Sequence, residues 1–146
     1  MGHGLLVSLN KPPTRIFLSR SLWEQMKDEV QDKAPLEGCG LIAGLRERAS
    51  AIIPLFNTEQ SPVRYRLDPQ EQLDAFRYID ENAWVLLGIF HSHPSGPAMP
   101  SRADIEEAYY PDSAYLIWSP TNLGWQCRGF SIQEGKVSEI QLLITA

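Results

Sequence analysis

The chain has 146 residues, of which 43% are hydrophobic and 21% charged, as expected for one soluble globular domain that buries its own core. The sequence argues against three classes: it has no apolar run near the ~18 residues of a membrane helix, no N-terminal secretory signal, and, with a net charge of −5, no basic face for nucleic acid. Two cysteines, Cys39 and Cys127, do not make a disulfide framework, so a cytoplasmic location is expected.

The first half of the chain predicts a strand, a helix and two further strands. Residues 1–14 are predicted to be a flexible N-terminal arm, and residues 15–146 a single domain. The segment "RIFLS" (15–19) predicts a strand, and Ser19 or Ser21 can cap a helix that continues to about Lys33. Glycines around the apolar run in 35–44 indicate a strand leaving a turn, with 50–56 as its antiparallel neighbour.

The second half adds two helices and at least four strands. Residues 57–69 are predicted to be a loop with a short strand around Tyr65–Leu67, and residues 69–82 a helix with proline in its first turn. The continuous apolar run "WVLLGIF" (84–90) is typical of a central, fully covered strand. A third helix is expected from near Ser101 to before Pro111, followed by three strands at 114–119, 124–132 and 137–144. This order predicts an α/β domain whose mixed, mostly antiparallel sheet is flanked by about three helices.

Two histidines stand at the end of the predicted central strand, in "GIFHSHPSGPAMPSRADI" (88–105). Side chains two apart in a strand point to the same face, so His91 and His93 can bind one ion. The turn that follows is rigid, because it holds three prolines and a glycine. It returns the chain to Ser101, which suits a helix N-cap, with Asp104 at the third helical position.

Asp104 also has an explanation without metal. The pattern Ser-x-x-Asp at a helix start resembles a capping box, which places a carboxylate near the positive end of the helix. The histidine pair changes this balance, because two imidazoles at the mouth of a buried strand would otherwise need two separate hydrogen-bond partners. Zinc favours imidazole nitrogen and carboxylate oxygen, with three protein ligands in hydrolytic sites. The three residues together favour a metal site.

A hydrolytic zinc site also needs a carboxylate that takes a proton from water without binding the ion. Glu37 in "PLEGCGLIAG" is the best candidate, because it leads into a glycine-rich apolar strand where an ionisable side chain is otherwise out of place. Without the histidines, a solvent-facing glutamate in a turn would be the default interpretation.

These segments resemble the JAMM (MPN+, Mov34/JAB1) metalloprotease family. "HSHPSGPAMPSRAD" matches its signature of His-Ser-His, seven residues, Ser, two residues and Asp, and "EGCGLIAG" is similar to its upstream glutamate segment. The stretch between them also resembles the family's, with a strand that ends in asparagine and an extended segment that closes in Asp-Pro. The resemblance covers roughly residues 15–130 and is closest to the compact, free-standing prokaryotic type.

The resemblance implies a cytidine-deaminase-like fold and a role for each signature residue. His91, His93 and Asp104 would bind one zinc ion, Glu37 would act as general base on the zinc-bound water, and Ser101 would donate a hydrogen bond to the oxyanion. The implied reaction is hydrolysis of the (iso)peptide bond after the C-terminal Gly-Gly tail of a ubiquitin-like or sulfur-carrier β-grasp protein.

The loop 57–68 is expected to line the substrate groove, with Arg64 and Tyr65 as candidate substrate-binding residues. It lies between Glu37 and the zinc strand, and the extended tail could pair with it as an added strand. Related domains often pair, so a homodimer stays open as an alternative to a monomer.

Two other interpretations stay open. The RadC-type JAB group has a motif very similar to "HPSG…PSRADI", although its members usually carry asparagine where this chain has Ser92 and an N-terminal helical region for which the chain leaves no room. A non-catalytic MPN scaffold with structural zinc is the other, since structural sites are closed by four protein ligands. Cys39 could in principle supply the fourth.

Overall fold

The computed structural model describes residues 11–146, which form seven strands and three helices. Most of the predicted arm, residues 1–14, lies outside the described residues. In its described part, residues 11–14, the Thr14 carbonyl accepts a hydrogen bond from the Gln141 amide at 3.2 Å. The elements, in chain order, are β1 (Arg15–Ser19), α1 (Arg20–Lys33), β2 (Cys39–Leu45), β3 (Arg48–Leu55), α2 (Pro69–Glu81), β4 (Val85–Ser92), α3 (Arg102–Glu106), β5 (Ala114–Thr121), β6 (Gly124–Gln133) and β7 (Lys136–Thr145).

The strands form one sheet in the order β1-β3-β2-β4-β5-β6-β7, which closes because β7 pairs with β1. The pairs β2–β3, β2–β4, β5–β6 and β6–β7 are antiparallel, and β1–β3, β1–β7 and β4–β5 are parallel. The predicted fold class, a mixed and mostly antiparallel sheet with three helices, is confirmed. Closure was not predicted, because it requires β1 to pair both with β3, at Phe17 and Arg48, and with β7 at the opposite end of the chain.

Two apolar clusters lie on the two faces of the sheet. Helix α1 begins at the N-cap Ser19, whose hydroxyl accepts a hydrogen bond from the Leu22 amide at 3.2 Å, and it buries Met26 and Val30 in the first cluster. Helix α2 buries Ala75 and Ile79 in the second, against side chains of β2, β4 and β5. Strand β4 is buried along its whole length between these clusters, as its continuous apolar run predicts.

The third helix ends before Pro111, as predicted, and its last residue is Glu106. Beyond it the Tyr110 amide donates to the Tyr115 hydroxyl at 3.0 Å, and proline disfavours a helical residue before it. One local prediction was wrong. The segment around Tyr65 is not a strand; a single bridge between Asn57 and Leu67 is its only ladder contact among the described residues.

Gly40 shows why glycine follows Glu37 so closely in the sequence. A Cβ at this position would lie 2.4 Å from the Ile53 carbonyl oxygen and 2.6 Å from the Phe90 ring. Strand β2 can therefore lie between β3 and β4 only with no side chain here. This close packing holds the N-terminal end of β2, and Glu37 just before it, beside the end of β4.

Candidate metal centre

Strand β4 supplies the two histidines. The His91 side chain is fully buried, and His93 follows the strand directly, with its amide donating to the Trp118 carbonyl of β5 at 2.7 Å. Because the two residues are two apart in an extended chain, both rings reach the same side of the sheet. Their Nε2 atoms are 3.0 Å apart.

The turn after β4 fixes the orientation of the His93 ring. Gly96 has φ +66° and its amide donates to the His93 carbonyl at 2.7 Å, which brings the Pro97 carbonyl oxygen to 2.8 Å from His93 Nδ1. A carbonyl oxygen can only accept, so Nδ1 carries the hydrogen of this bond. In the neutral ring Nε2 is then the atom with the free lone pair.

The start of α3 forms the predicted capping box. The Ser101 hydroxyl accepts a hydrogen bond from the Asp104 amide at 3.1 Å, and Asp104 Oδ2 accepts one from the Ser101 amide at 2.9 Å. The same Oδ2 lies 3.2 Å from His91 Nε2 and 3.1 Å from His93 Nε2. The capping box therefore places one carboxylate oxygen beside both imidazoles, so Asp104 caps the helix and contacts the histidines at the same time.

The donor set fits zinc. His91 Nε2, His93 Nε2 and Asp104 Oδ2 form a triangle with sides of 3.0 to 3.2 Å, close to the edge of about 3.3 Å expected for tetrahedral ligands about 2.0 Å from the ion. With Nε2 of neutral His93 as an acceptor, two acceptors face each other at 3.1 Å. Either a proton on Nε2 or a cation bound between the two atoms removes this repulsion, and these three residues could hold a cation.

The close approach and burial of these three side chains shift their pKa values. Burial alone would raise the pKa of Asp104, but its hydrogen bonds with His91 and His93 outweigh burial and hold the pKa well below its usual range. Burial lowers the pKa of His91. For His93 burial also acts to lower the pKa, but the hydrogen bonds to Asp104 and to the Pro97 carbonyl leave it raised. The site is thus a carboxylate facing one imidazole that resists protonation and another that favours it.

Glu37 lies at the edge of this triangle. Its side chain is buried, with only 4% of the residue exposed, and a carboxylate oxygen lies within 4.8 Å of ring nitrogens of both His91 and His93. Its amide donates to the Ser61 carbonyl at 2.8 Å. The adjacent Gly38 amide donates to the buried Ser92 hydroxyl, also at 2.8 Å, so Ser92 fixes the backbone next to Glu37.

Two sets of three residues could therefore hold an ion, the triangle with Asp104 and the group of Glu37, His91 and His93. The shorter distances within the triangle favour it as the ligand set, because 4.8 Å exceeds the separation of two ligands on one zinc ion. Burial raises the pKa of Glu37 to about 8, with Asp104 raising it further and His93 opposing this. A carboxyl with that pKa can both accept and release a proton near neutral pH.

The buried Glu37 makes stability depend on pH. In the metal-free protein we expect the free energy of unfolding to fall as the pH rises from 4.5 towards about 8, because the folded state keeps a proton that the unfolded chain releases. Each pKa unit corresponds to about 1.4 kcal/mol, so the loss is on the order of several kcal/mol. Urea unfolding with a chelator present, at intervals from about pH 4 to about pH 9, measures it.

The variant Glu37→Gln should lack this part of the pH dependence, since its amide does not titrate. Glu134→Gln, which changes an exposed glutamate in the β6–β7 turn, is the matched control and should follow the unsubstituted protein. The expectation would be contradicted if the free energy of unfolding changed with pH equally in Glu37→Gln and in the unsubstituted protein.

A cavity of about 360 Å³ opens beside the triangle. The loop after β3 forms one wall and α3 with the residues after it the other; Arg64, Tyr65, Asp104, Glu107 and Tyr109 are among the lining residues. Exposed Arg64 reaches across to Glu107 at 3.8 Å. The two predicted substrate-binding residues thus differ, because Arg64 lies at the mouth of the cavity and Tyr65 stacks on the His91 ring.

Cys39 lies beside the site and its thiol is engaged elsewhere. The residue is fully buried, and Sγ donates to the Leu55 carbonyl of β3 at 3.6 Å. Burial and the neighbouring Glu37 charge raise the pKa of this thiol to about 12. A protonated thiol is a poor zinc ligand, so these contacts do not favour a site closed by Cys39.

Sequence reasoning missed two contributors to the site. The Pro97 carbonyl orients His93 through a backbone atom, for which the sequence carries no signal beyond the rigid turn. Asn57 is buried and its side chain forms hydrogen bonds with four backbone groups, one of them the Glu37 carbonyl. In the sequence, the position of Asn57 at the end of a strand is part of the family resemblance and predicts no role in the site.

The fold, and a buried carboxylate beside a His-x-His pair and an aspartate, define a hydrolase domain of the JAMM/MPN class. The family model described as prokaryotic homologs of the JAB domain matches residues 19–128. The chain is 37% identical over 130 residues to a probable TtuB-protein conjugate cleaving protease of Thermus thermophilus, covering 88% of this chain and 82% of that protein. It is 38% identical over 108 residues to a CysO-cysteine peptidase of Mycobacterium tuberculosis, covering 72% and 74%.

Among solved structures, a Desulfitobacterium hafniense protein is similar with a TM-score of 0.82 and 36% identity, over 89% of this chain and 92% of that one. The chain belongs to the family of prokaryotic JAB-domain homologues, and the predicted JAMM/MPN+ relationship is confirmed. In the part of the chain that the structure describes, no helix has the length and apolarity to span a membrane.

Proposed function

We propose that this chain is a zinc-dependent peptidase that hydrolyses the peptide or isopeptide bond after the Gly-Gly tail of a ubiquitin-like or sulfur-carrier β-grasp protein. The observation that carries the proposal is the triangle of His91 Nε2, His93 Nε2 and Asp104 Oδ2 with buried Glu37 beside it. The two curated relatives are named for cleaving conjugates or adducts of such proteins, which supports this interpretation over a RadC-type one.

In this proposal the triangle holds the ion and leaves one side open for substrate. A zinc ion bound there would supply acidity to water and polarise the scissile carbonyl. Glu37 takes the proton from the attacking water and then passes it to the leaving amine. Burial raises the pKa of its carboxyl to about 8 in the metal-free protein, and a cation beside it would lower this pKa towards neutrality, where a general base works best.

Ser101 would stabilise the developing charge. Its oxygen accepts the hydrogen bond from the Asp104 amide at 3.1 Å, and the hydroxyl hydrogen remains able to donate. The residue is exposed at the start of α3, three positions before Asp104. In this proposal its free hydroxyl hydrogen would donate to the oxyanion that forms when water adds to the carbonyl.

The cavity beside the triangle would receive the tail. Its volume of about 360 Å³ fits a few residues of extended chain rather than a folded domain. The side chains of Arg64 and Tyr109, at its exposed mouth, would then contact the residues that precede the two glycines. Glycines, which have no side chain, would then lie in the part of the cavity nearest the triangle, where Asp104 is a lining residue.

The experiment that tests the proposal uses the zinc-loaded protein and a β-grasp protein fused through its Gly-Gly terminus to a reporter. We expect cleavage after the second glycine, and no cleavage in the presence of a chelator or when the tail ends in Ala-Ala. Mass spectrometry of the products identifies the bond that is cut. Failure to cut any of a panel of ubiquitin-like and sulfur-carrier fusions would reject the proposed substrate class.

A further inference from the structure

The two histidine rings at the site are held in different ways. His93 Nδ1 donates to the Pro97 carbonyl at 2.8 Å, the usual arrangement for a metal-binding histidine, in which the second ring nitrogen bonds to an acceptor that fixes the ring. His91 Nδ1 is fully buried and has no hydrogen-bond partner among residues 11–146. Another contact must therefore fix the orientation of the His91 ring.

Tyr65 provides that contact. Its ring lies almost flat on the His91 imidazole, with centroids 4.4 Å apart and planes inclined by 21°. The His93 ring meets His91 edge-on, with centroids 4.8 Å apart and planes at 68°. Tilting the His91 ring out of its plane by rotation about the Cβ–Cγ bond would break the favourable stack with Tyr65. The stack therefore fixes the plane of the ring, within which Nε2 contacts His93 and Asp104.

Asn57 holds Tyr65 in place. Its Nδ2 donates to the Arg64 carbonyl at 2.9 Å, and its Oδ1 accepts from the Arg66 amide at 3.0 Å, so the amide grips the backbone on both sides of Tyr65. Nδ2 also donates to the Glu37 carbonyl at 3.1 Å, and Oδ1 accepts from the Glu59 amide at 3.0 Å. The buried side chain thus uses its full capacity of two donors and two acceptor sites.

We propose that Tyr65 is a positioning residue for His91, and that Asn57 holds Tyr65 and the Glu37 backbone in fixed relation to that ring. The aromatic stack orients the His91 ring, as the hydrogen bond to the Pro97 carbonyl orients the His93 ring. The ring of Tyr65, rather than its hydroxyl, carries this role, because the contact is face to face. The inference rests on the proposed metal site but not on the identity of the substrate.

Zinc affinity, measured by competition with a chromophoric chelator, tests the inference without any assay of activity. We expect Tyr65→Met, which keeps similar volume but removes the ring, to weaken zinc binding about five- to tenfold. Tyr65→Phe should stay within about twofold of the unsubstituted protein, since it keeps the stack. The visible absorption of the cobalt-substituted protein should change in Tyr65→Met and not in Tyr65→Phe, because it reports ligand geometry.

Phe17→Met is the matched control, because Phe17 is a half-buried aromatic of β1 whose ring contacts Arg15 and Arg48 rather than the site. It should bind zinc like the unsubstituted protein. Thermal unfolding of each metal-free variant checks the fold. If Tyr65→Met does not fold, Asn57→Ser is measured instead, with an expected loss of about two- to fivefold in zinc affinity because the backbone beside Tyr65 is released.

Unchanged affinity and cobalt spectrum in a folded Tyr65→Met would overturn the inference. So would an equal loss in Tyr65→Phe, which would assign the effect to the hydroxyl, or an equal loss in Phe17→Met, which would assign it to general destabilisation. The proposed function fails separately, because a protein that cuts no β-grasp fusion can still show these differences in zinc binding.

Discussion

Glu37→Gln should abolish measurable peptidase activity, with kcat reduced about 1,000-fold, while zinc still binds at one ion per chain. Glutamine has nearly the same size and keeps the buried volume filled, but its amide cannot take a proton from water. The three atoms of the triangle are unchanged by the substitution, so metal content should be unaffected. Steady-state cleavage of a Gly-Gly fusion, together with metal analysis of the same preparations, measures both effects.

The control for this prediction is Glu106→Gln on α3. Glu106 is exposed and pairs with Arg102 at 3.1 Å, a surface contact that contributes little to stability. Its loss should leave both activity and zinc content unchanged. A value of kcat for Glu37→Gln within tenfold of the unsubstituted protein would assign the proton transfer to another group.

Comparison of Asp104→Ala with Ser101→Ala should distinguish metal binding by Asp104 from its role in capping helix α3. Both substitutions remove one half of the capping box, so Ser101→Ala should lower the free energy of unfolding of the metal-free protein by about 1 kcal/mol. Asp104→Ala should lower it by more, because it also removes the contacts with His91 and His93. Only Asp104→Ala removes an atom of the triangle, and we expect it to weaken zinc binding at least about 100-fold. Chelator competition and urea unfolding of the two variants make the comparison.

Ser101→Ala should retain zinc and still lose activity, with kcat lower by about 100-fold if the hydroxyl donates to the oxyanion. If its activity falls no more than that of a variant with equal loss of stability elsewhere, Ser101 is a cap alone. Equal zinc affinity in Asp104→Ala and Ser101→Ala would show that Asp104 is not a ligand, and would favour the alternative group with Glu37.

The convergence of His91, His93 and Asp104 could be predicted because each step of it is local. The two-residue period of a strand puts both histidines on one face, and a Ser-x-x-Asp pattern is enough to predict a capping box. Glu37 lies more than fifty residues away in sequence, so its link to the histidines rests on its unusual apolar context and on the resemblance to a known family rather than on local geometry. Its burial and raised pKa follow from packing that the sequence does not display.

The parts that could not be predicted depend on contacts between distant segments. Asn57 was seen as the end of a strand, but its four hydrogen bonds exist only when the loop folds back on it. Tyr65 is predicted to contact substrate because it lies in that loop, and it does line the cavity, but no sequence signal indicates that its ring also stacks on His91. The third helix ends before Pro111, as predicted, but the sequence does not show that its last residue is Glu106, since the Tyr110 amide beyond it bonds to the Tyr115 side chain only in the folded chain.

The closed sheet restricts how any second chain can attach. An open sheet has an edge strand with unpaired amides and carbonyls, to which another chain can add and through which sheet proteins self-associate. Here β1 lies between β3 and β7; it pairs with β7 along five residues but with β3 only through Phe17 and Arg48. Among the described residues, free strand edge is therefore confined to the part of β3 beyond Arg48 and to the matching part of β1. Under the proposed function, a substrate tail that adds as a strand would pair with the loop beside the metal centre, and self-association through strands would have to use the short seam between β1 and β3.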